Sequence, residues 1–97
     1  MDIHIRCPHA PVTQALKDFT HEKMTHLERY DGHIISAEVS FDIEHNTHIA
    51  SATLQLKGEN LHAQATSDDM YQSISALTKK LESQIKRHKG KLTDHRD

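Results

Sequence analysis

Tryptophan is missing from the 97 residues, and only two phenylalanines and two tyrosines supply aromatic bulk. With apolar residues at 35%, the chain can bury one modest core, so a single two-layered domain is expected. The lone cysteine, Cys7, excludes an internal disulfide and suits a reducing compartment. No apolar run approaches the ~20 residues of a membrane helix. The opening MDIHIRC also lacks the basic start and apolar stretch of a secretory signal. A cytoplasmic protein without membrane contact is the expectation. The three glycines are scattered rather than gathered in a phosphate-cradling loop.

What is present is regular alternation. Ile3, Ile5 and Cys7 alternate with Asp2, His4 and Arg6, the pattern of a half-buried strand. Pro8 and Pro11 break the chain, and Pro11 suits the first turn of a helix. Val12, Ala15, Leu16, Phe19 and Leu27 then follow a helical period that Tyr30 closes before Asp31-Gly32, which predicts a helix over about 11–29. Ile35, Ala37, Val39, Phe41 and Ile43 form the apolar side of a long strand. After the turn His45-Asn46-Thr47, Ala50, Ala52, Leu54 and Leu56 form a second; after Lys57–Asn60, Leu61, Ala63 and Ala65 form a third. Loops this short predict an antiparallel meander.

Ser67 or Asp68 is placed to cap a final helix over about 69–89, with Gly90 as its stop. Its apolar stripe is Met70, Ile74, Leu77, Leu81 and Ile85. The order β-α-β-β-β-α predicts an α+β two-layer sandwich, a four-stranded sheet with two helices on one face. The domain is expected to span 1–92, leaving 93–97 as a short flexible tail.

Charge is divided unevenly. Residues 1–78 hold five basic and eleven acidic groups, a net of −6, whereas 79–97 hold seven basic and three acidic, a net of +4; the two sum to the formal −2. At ~100° per residue, Lys79, Lys80, Lys86 and Arg87 fall opposite the apolar stripe, and Lys89 and Lys91 continue the positive surface. One or two cations would satisfy the helix dipole. A row of them repels itself without a polyanionic partner and has the spacing of phosphate contacts.

Several phrases carry a family likeness: ALKDF and KMTHLERY on the first helix, THIASATLQLKGENLHA across two strands, and DDMYQSISALTKKLESQIKRHKGKL on the last helix. In this order, from Ile3 to about Leu92, they resemble the short form of the ribosome hibernation promoting factor family, which includes ribosome-associated inhibitors and sigma-54 modulation proteins. The resemblance implies a double-stranded-RNA-binding-domain-like fold that lodges in the decoding channel of the 30S subunit on 16S rRNA. It also implies blocked mRNA and tRNA binding, inhibited translation in stationary phase, and 100S ribosome dimers formed with a second small modulation factor.

By resemblance the rRNA-binding residues are Lys79, Lys80, Lys86, Arg87, Lys89 and Lys91, with Lys23 and Arg29 on the first helix and Tyr71 as a stacking group. Lys23 is equally readable as a stem snorkelling along the core edge, and Tyr71 as a packing residue. Ser83 and His26 stand where the family usually carries cations.

The competing features are weaker. Ten histidines invite a metal, yet no three or four converge at ligand spacing, so no metal and no cofactor is expected. His88 suggests extra charge near phosphate at low pH. Cys7 ends a strand as an inert thiol, Asp68-Asp69 read as a cap, and no catalytic set emerges, so no enzyme is expected. The alternative is a protein-binding regulatory module acting on a transcription factor, but its outer sheet face lacks an apolar hot spot. Off the ribosome a monomer is expected.

Overall fold

The computed structural model describes residues 1–9, 12–31 and 33–94, with the last six as backbone only. Pro11 and the tail beyond Asp94 lie outside the described residues. Strand β1 (Asp2–Arg6) leads to helix α1 (Gln14–His26), which tightens into a 3-10 turn at Leu27–Arg29. Strands β2 (Ile34–Glu44), β3 (Thr47–Leu56) and β4 (Glu59–Ser67) follow, then helix α2 (Met70–Asp94). The sheet order is β1-β2-β3-β4. β2, β3 and β4 form the expected antiparallel meander, while β1 runs parallel to β2 because α1 returns the chain to the end where β1 began.

Both hairpins use two-residue turns. His45 and Asn46 have φ of 49° and 66°, the left-handed pair that a type I′ turn demands. In the second turn only Gly58 is left-handed, at φ 84°. The core lies between sheet and helices: Ala37, Val39 and Phe41 of β2, Ala50, Ala52 and Leu54 of β3, and Leu61, Ala63 and Ala65 of β4 meet Met24 and Leu27, with Ile74, Leu77, Leu81 and Ile85 from α2.

Five local expectations are corrected. Helix α1 starts at Gln14, because Thr13 caps it: its Oγ1 accepts from the Leu16 amide at 3.1 Å. Its inner face uses Thr20, fully buried, where Ala15 was expected; the Thr20 hydroxyl donates to the Leu16 carbonyl at 2.8 Å and so enters the core satisfied. In β2 the pairing shifts between Ile34 and Ser36, which turns Ile34 inward and leaves Ile35 49% exposed. This is a bulge, and one extra residue reverses the alternation before it.

Helix α2 is capped by Asp69, whose carboxylate accepts from the Tyr71 amide at 3.2 Å. It also continues through Gly90 to Asp94. A mid-helix glycine costs only ~1 kcal/mol relative to alanine, too little to stop a helix already nucleated and packed. Ser73 fastens α2 to the sheet, its buried hydroxyl donating to the His48 carbonyl at 2.7 Å.

Candidate nucleic-acid interface

The stripe of α2 faces the sheet, so its opposite side is exposed by geometry. Lys79, Lys80, Ser83, Lys86 and Arg87 are all exposed. They do not form one row. Lys79 and Lys86 lean toward α1, whereas Lys80 and Arg87 lean over β4, with Ser83 on the crest between two files of charge. Lys89 and Lys91 lie on the same helix, and their side chains fall outside the described residues.

The file toward α1 is backed by aromatic rings. The Lys86 ammonium sits 5.1 Å from the centre of the Tyr30 ring, and that of Lys23 sits 5.4 Å from Phe19. Lys23 is half-buried, so its stem lies along the helix while its charge reaches the surface. The cleft beside it is lined by Glu22, Lys23, His26, Ser75, Thr78, Lys79 and Glu82. Lys23 and Lys79 thus approach one cleft from different helices. Arg29, in the 3-10 turn, is also exposed. Tyr71 meets Phe19 edge-on at 4.9 Å and remains 39% exposed. It packs on α1, with part of its ring still open.

The other file guards an edge. β4 is the last strand of the sheet, so its outward backbone groups have no strand to pair with. The Lys80 ammonium donates to the Gln64 carbonyl at 2.6 Å, and the Gln84 amide donates to the His62 carbonyl at 2.8 Å. Lys80 is therefore a structural residue of the free protein as well as a surface cation.

The carboxylates lie elsewhere. Among the described residues no lysine or arginine forms an ion pair; the carboxylates pair with histidines or with the chain's first amine. Glu82, the acid within the basic tract, faces His26 at 4.0 Å. His88, expected to extend the phosphate-facing charge, turns inward instead. It occupies the next position of the apolar stripe, is 12% exposed, and meets Glu59 at 3.0 Å. The spacing of that stripe contained this signal, since His88 follows Ile85 by three residues. The Glu59 contact and the Lys86–Tyr30 pair, which cross between elements, left no trace in the sequence.

The outer sheet face is polar and internally bonded. Thr53 and His62 are 2.9 Å apart, and Ser36 donates to Gln55 at 3.3 Å. At its end Asp42 accepts from the Ile43 amide at 2.8 Å and meets His9 at 3.1 Å. Hydrogen bonding to His9, then to the Ile43 amide, holds the Asp42 carboxyl below its ordinary 3.8. Among the described residues no group of three potential metal ligands comes together, and no helix is long and apolar enough to cross a membrane.

The profile of the family described as "Sigma 54 modulation protein / S30EA ribosomal protein" matches residues 3–93. The chain is 39% identical over 95 residues to the ribosome hibernation promoting factor of Salmonella typhimurium, covering 98% of this chain and 100% of that protein. It is 37% identical over 91 residues to that of Pseudomonas putida, with 94% and 89% covered. Among solved structures, a ribosomal subunit interface protein from Coxiella burnetii superposes with a TM-score of 0.89 at 30% identity, covering 93% of this chain and 99% of that one. The N-terminal domain of Thermus thermophilus Protein Y gives 0.84 at 25% identity, with 91% and 99% covered.

Proposed function

This chain belongs to the Sigma 54 modulation protein / S30EA ribosomal protein family, a family of non-enzymatic ribosome-associated proteins, and from that premise we propose that it is a cytoplasmic ribosome hibernation factor. It binds the decoding channel of the 30S subunit through 16S rRNA, excludes mRNA and tRNA, and inhibits translation in stationary phase. It favours inactive 100S dimers together with a second small modulation factor, and is monomeric off the ribosome.

The observation that carries this reading is the exposed cationic face of α2, none of whose described lysines or arginines is neutralised by a carboxylate. Repulsion among such charges is relieved when phosphates replace their counterions. Lys79, Lys86, Lys23 and Arg29 address one phosphate tract, and Lys80 and Arg87 a second, with Lys89 and Lys91 extending them. Two files flanking a helix crest suit contact with both walls of an RNA groove. Tyr71 offers its open ring portion to a base or ribose. No chemical step is required: charge holds the domain, and its folded body obstructs the channel.

The test is translation of a reporter mRNA with purified ribosomes, combined with chemical footprinting of 16S rRNA. Inhibition near one protein per ribosome, with protections lining the mRNA and tRNA path, supports the proposal. Undiminished translation at molar excess, in salt low enough to retain ion pairing, rejects it.

A further inference from the structure

Beside the Lys80–Arg87 file a cleft of about 240 Å³ opens between the second half of α2 and the β3–β4 turn, lined by Glu59, Leu61, Gln84, Arg87 and His88. Its composition conflicts with a purely phosphate-binding surface. Glu59 is a carboxylate next to the basic tract, 41% exposed, where it repels the anion that Lys80 and Arg87 attract. His88 holds it there from one side at 3.0 Å. Leu61 supplies an apolar floor, only 7% exposed. The volume lies below the ~300 Å³ at which drug-sized pockets begin, which leaves room for one small planar ring system.

We propose that this cleft binds the base of a guanine nucleotide. Guanine is distinguished by adjacent N1–H and N2–H donors on one edge and adjacent O6 and N7 acceptors on another. A carboxylate on one side of the cleft and a guanidinium on the other match both edges. Each carboxylate oxygen has two lone pairs, so Glu59 can keep its 3.0 Å contact with His88 and still receive both guanine donors. Arg87 presents a planar fork, the geometry that takes O6 and N7 together. Uracil, with a single ring donor between two carbonyls, meets the carboxylate unfavourably. His88 is a positioning residue: fixing Glu59 against the turn keeps the acceptor edge aimed into the cleft. The nucleotide is either a base extruded from bound RNA, which rests on the rRNA reading above, or a free guanine nucleotide, which does not.

Two titrations of the full chain separate these sources. In the first, isotope-labelled protein is titrated with guanosine or adenosine monophosphate and followed by amide shifts of Glu59, Leu61, Arg87 and His88. In the second, RNA hairpins bearing one unpaired G, A, C or U compete for binding. The expected result is a preference for guanine of roughly tenfold in at least one titration. Glu59→Gln should abolish that preference while leaving the fold unchanged by circular dichroism. Arg87→Lys, which keeps the charge and loses the fork, should reduce it. Lys79→Ala should weaken all four hairpins alike. Discrimination among hairpins alone assigns an RNA base; shifts with the free nucleotide alone assign a soluble ligand. Equal response to all bases in both titrations overturns the proposal, as does a Glu59→Gln protein that simply binds every hairpin more tightly. Loss of all RNA binding with guanosine monophosphate shifts intact rejects the rRNA reading and leaves the cleft assignment standing.

Discussion

Lys86 of α2 places its ammonium 5.1 Å from the centre of the Tyr30 ring, just past the 3-10 turn that ends α1. The contact joins the C-terminal parts of the two helices at the surface proposed above to meet RNA. A cation over an aromatic face at an exposed site contributes about 0.5–1 kcal/mol. Tyr30→Leu and Lys86→Ala should therefore each lower the unfolding free energy in urea by about that amount through loss of the same contact. Lys86→Ala in the Tyr30→Leu background should then show little further loss. Additive effects of the two substitutions would mean that ring and ammonium are merely neighbours.

The Lys80 and Gln84 contacts to β4 carry a different expectation. Uncapped edge strands template pairing with further chains, and lysine is a common guard against it. The double variant Lys80→Ala, Gln84→Ala should self-associate with rising concentration in sedimentation velocity, whereas Lys79→Ala should stay monomeric. A double variant as monodisperse as the parent would show that α2 protects the edge by bulk alone.

Gly58 gives a backbone test free of packing effects. A Cβ built there meets nothing within 4 Å, while φ is 84°. Gly58→Ala therefore probes conformation only and should cost about 1 kcal/mol, read as a lowered urea midpoint at unchanged slope. An unchanged midpoint would show that the turn relaxes to another type.

Asp42 sets an acid-limb prediction. Its folded pKa lies below the ordinary 3.8 through its bonds to His9 and the Ile43 amide. The unfolded chain thus binds more protons in the window just below 3.8. The Asp42 contribution is present above that window and lost as pH falls through the folded value. His9→Ala should raise the Asp42 carboxyl midpoint, followed by carbon chemical shift, and remove part of the acid-limb slope of thermal stability. A midpoint indifferent to His9 would assign the depression to the Ile43 amide.

Much of this architecture was legible because its patterns are local. Alternation at Ala37, Val39 and Phe41, and again at Leu61, Ala63 and Ala65, specifies strands with one buried face, and the stripe from Met70 to Ile85 specifies α2. Legibility failed where tertiary packing decides. Ile34 and Ile35 are both apolar, and only the bulge against Gln55 and Leu56 selects which one is buried. Thr20 enters the core because its hydroxyl finds the Leu16 carbonyl, which hydrophobic periodicity does not register. The cationic side of α2 was visible as rotation about one axis. Its division into two files depends on α1 and β4 lying on either side, and no spacing within α2 encodes that.

The central claim, that α2 holds ribosomal RNA by charge, is tested most directly by pelleting 30S subunits with the triple variant Lys79→Glu, Lys86→Glu, Arg87→Glu. Lys80 is left in place so that the β4 edge stays capped. The parent protein should pellet at low salt and lose affinity by at least about tenfold for each doubling of salt, as four or more phosphate contacts require. The folded variant should remain in the supernatant throughout. A variant that pellets as well as the parent, with the same salt dependence, would contradict the account.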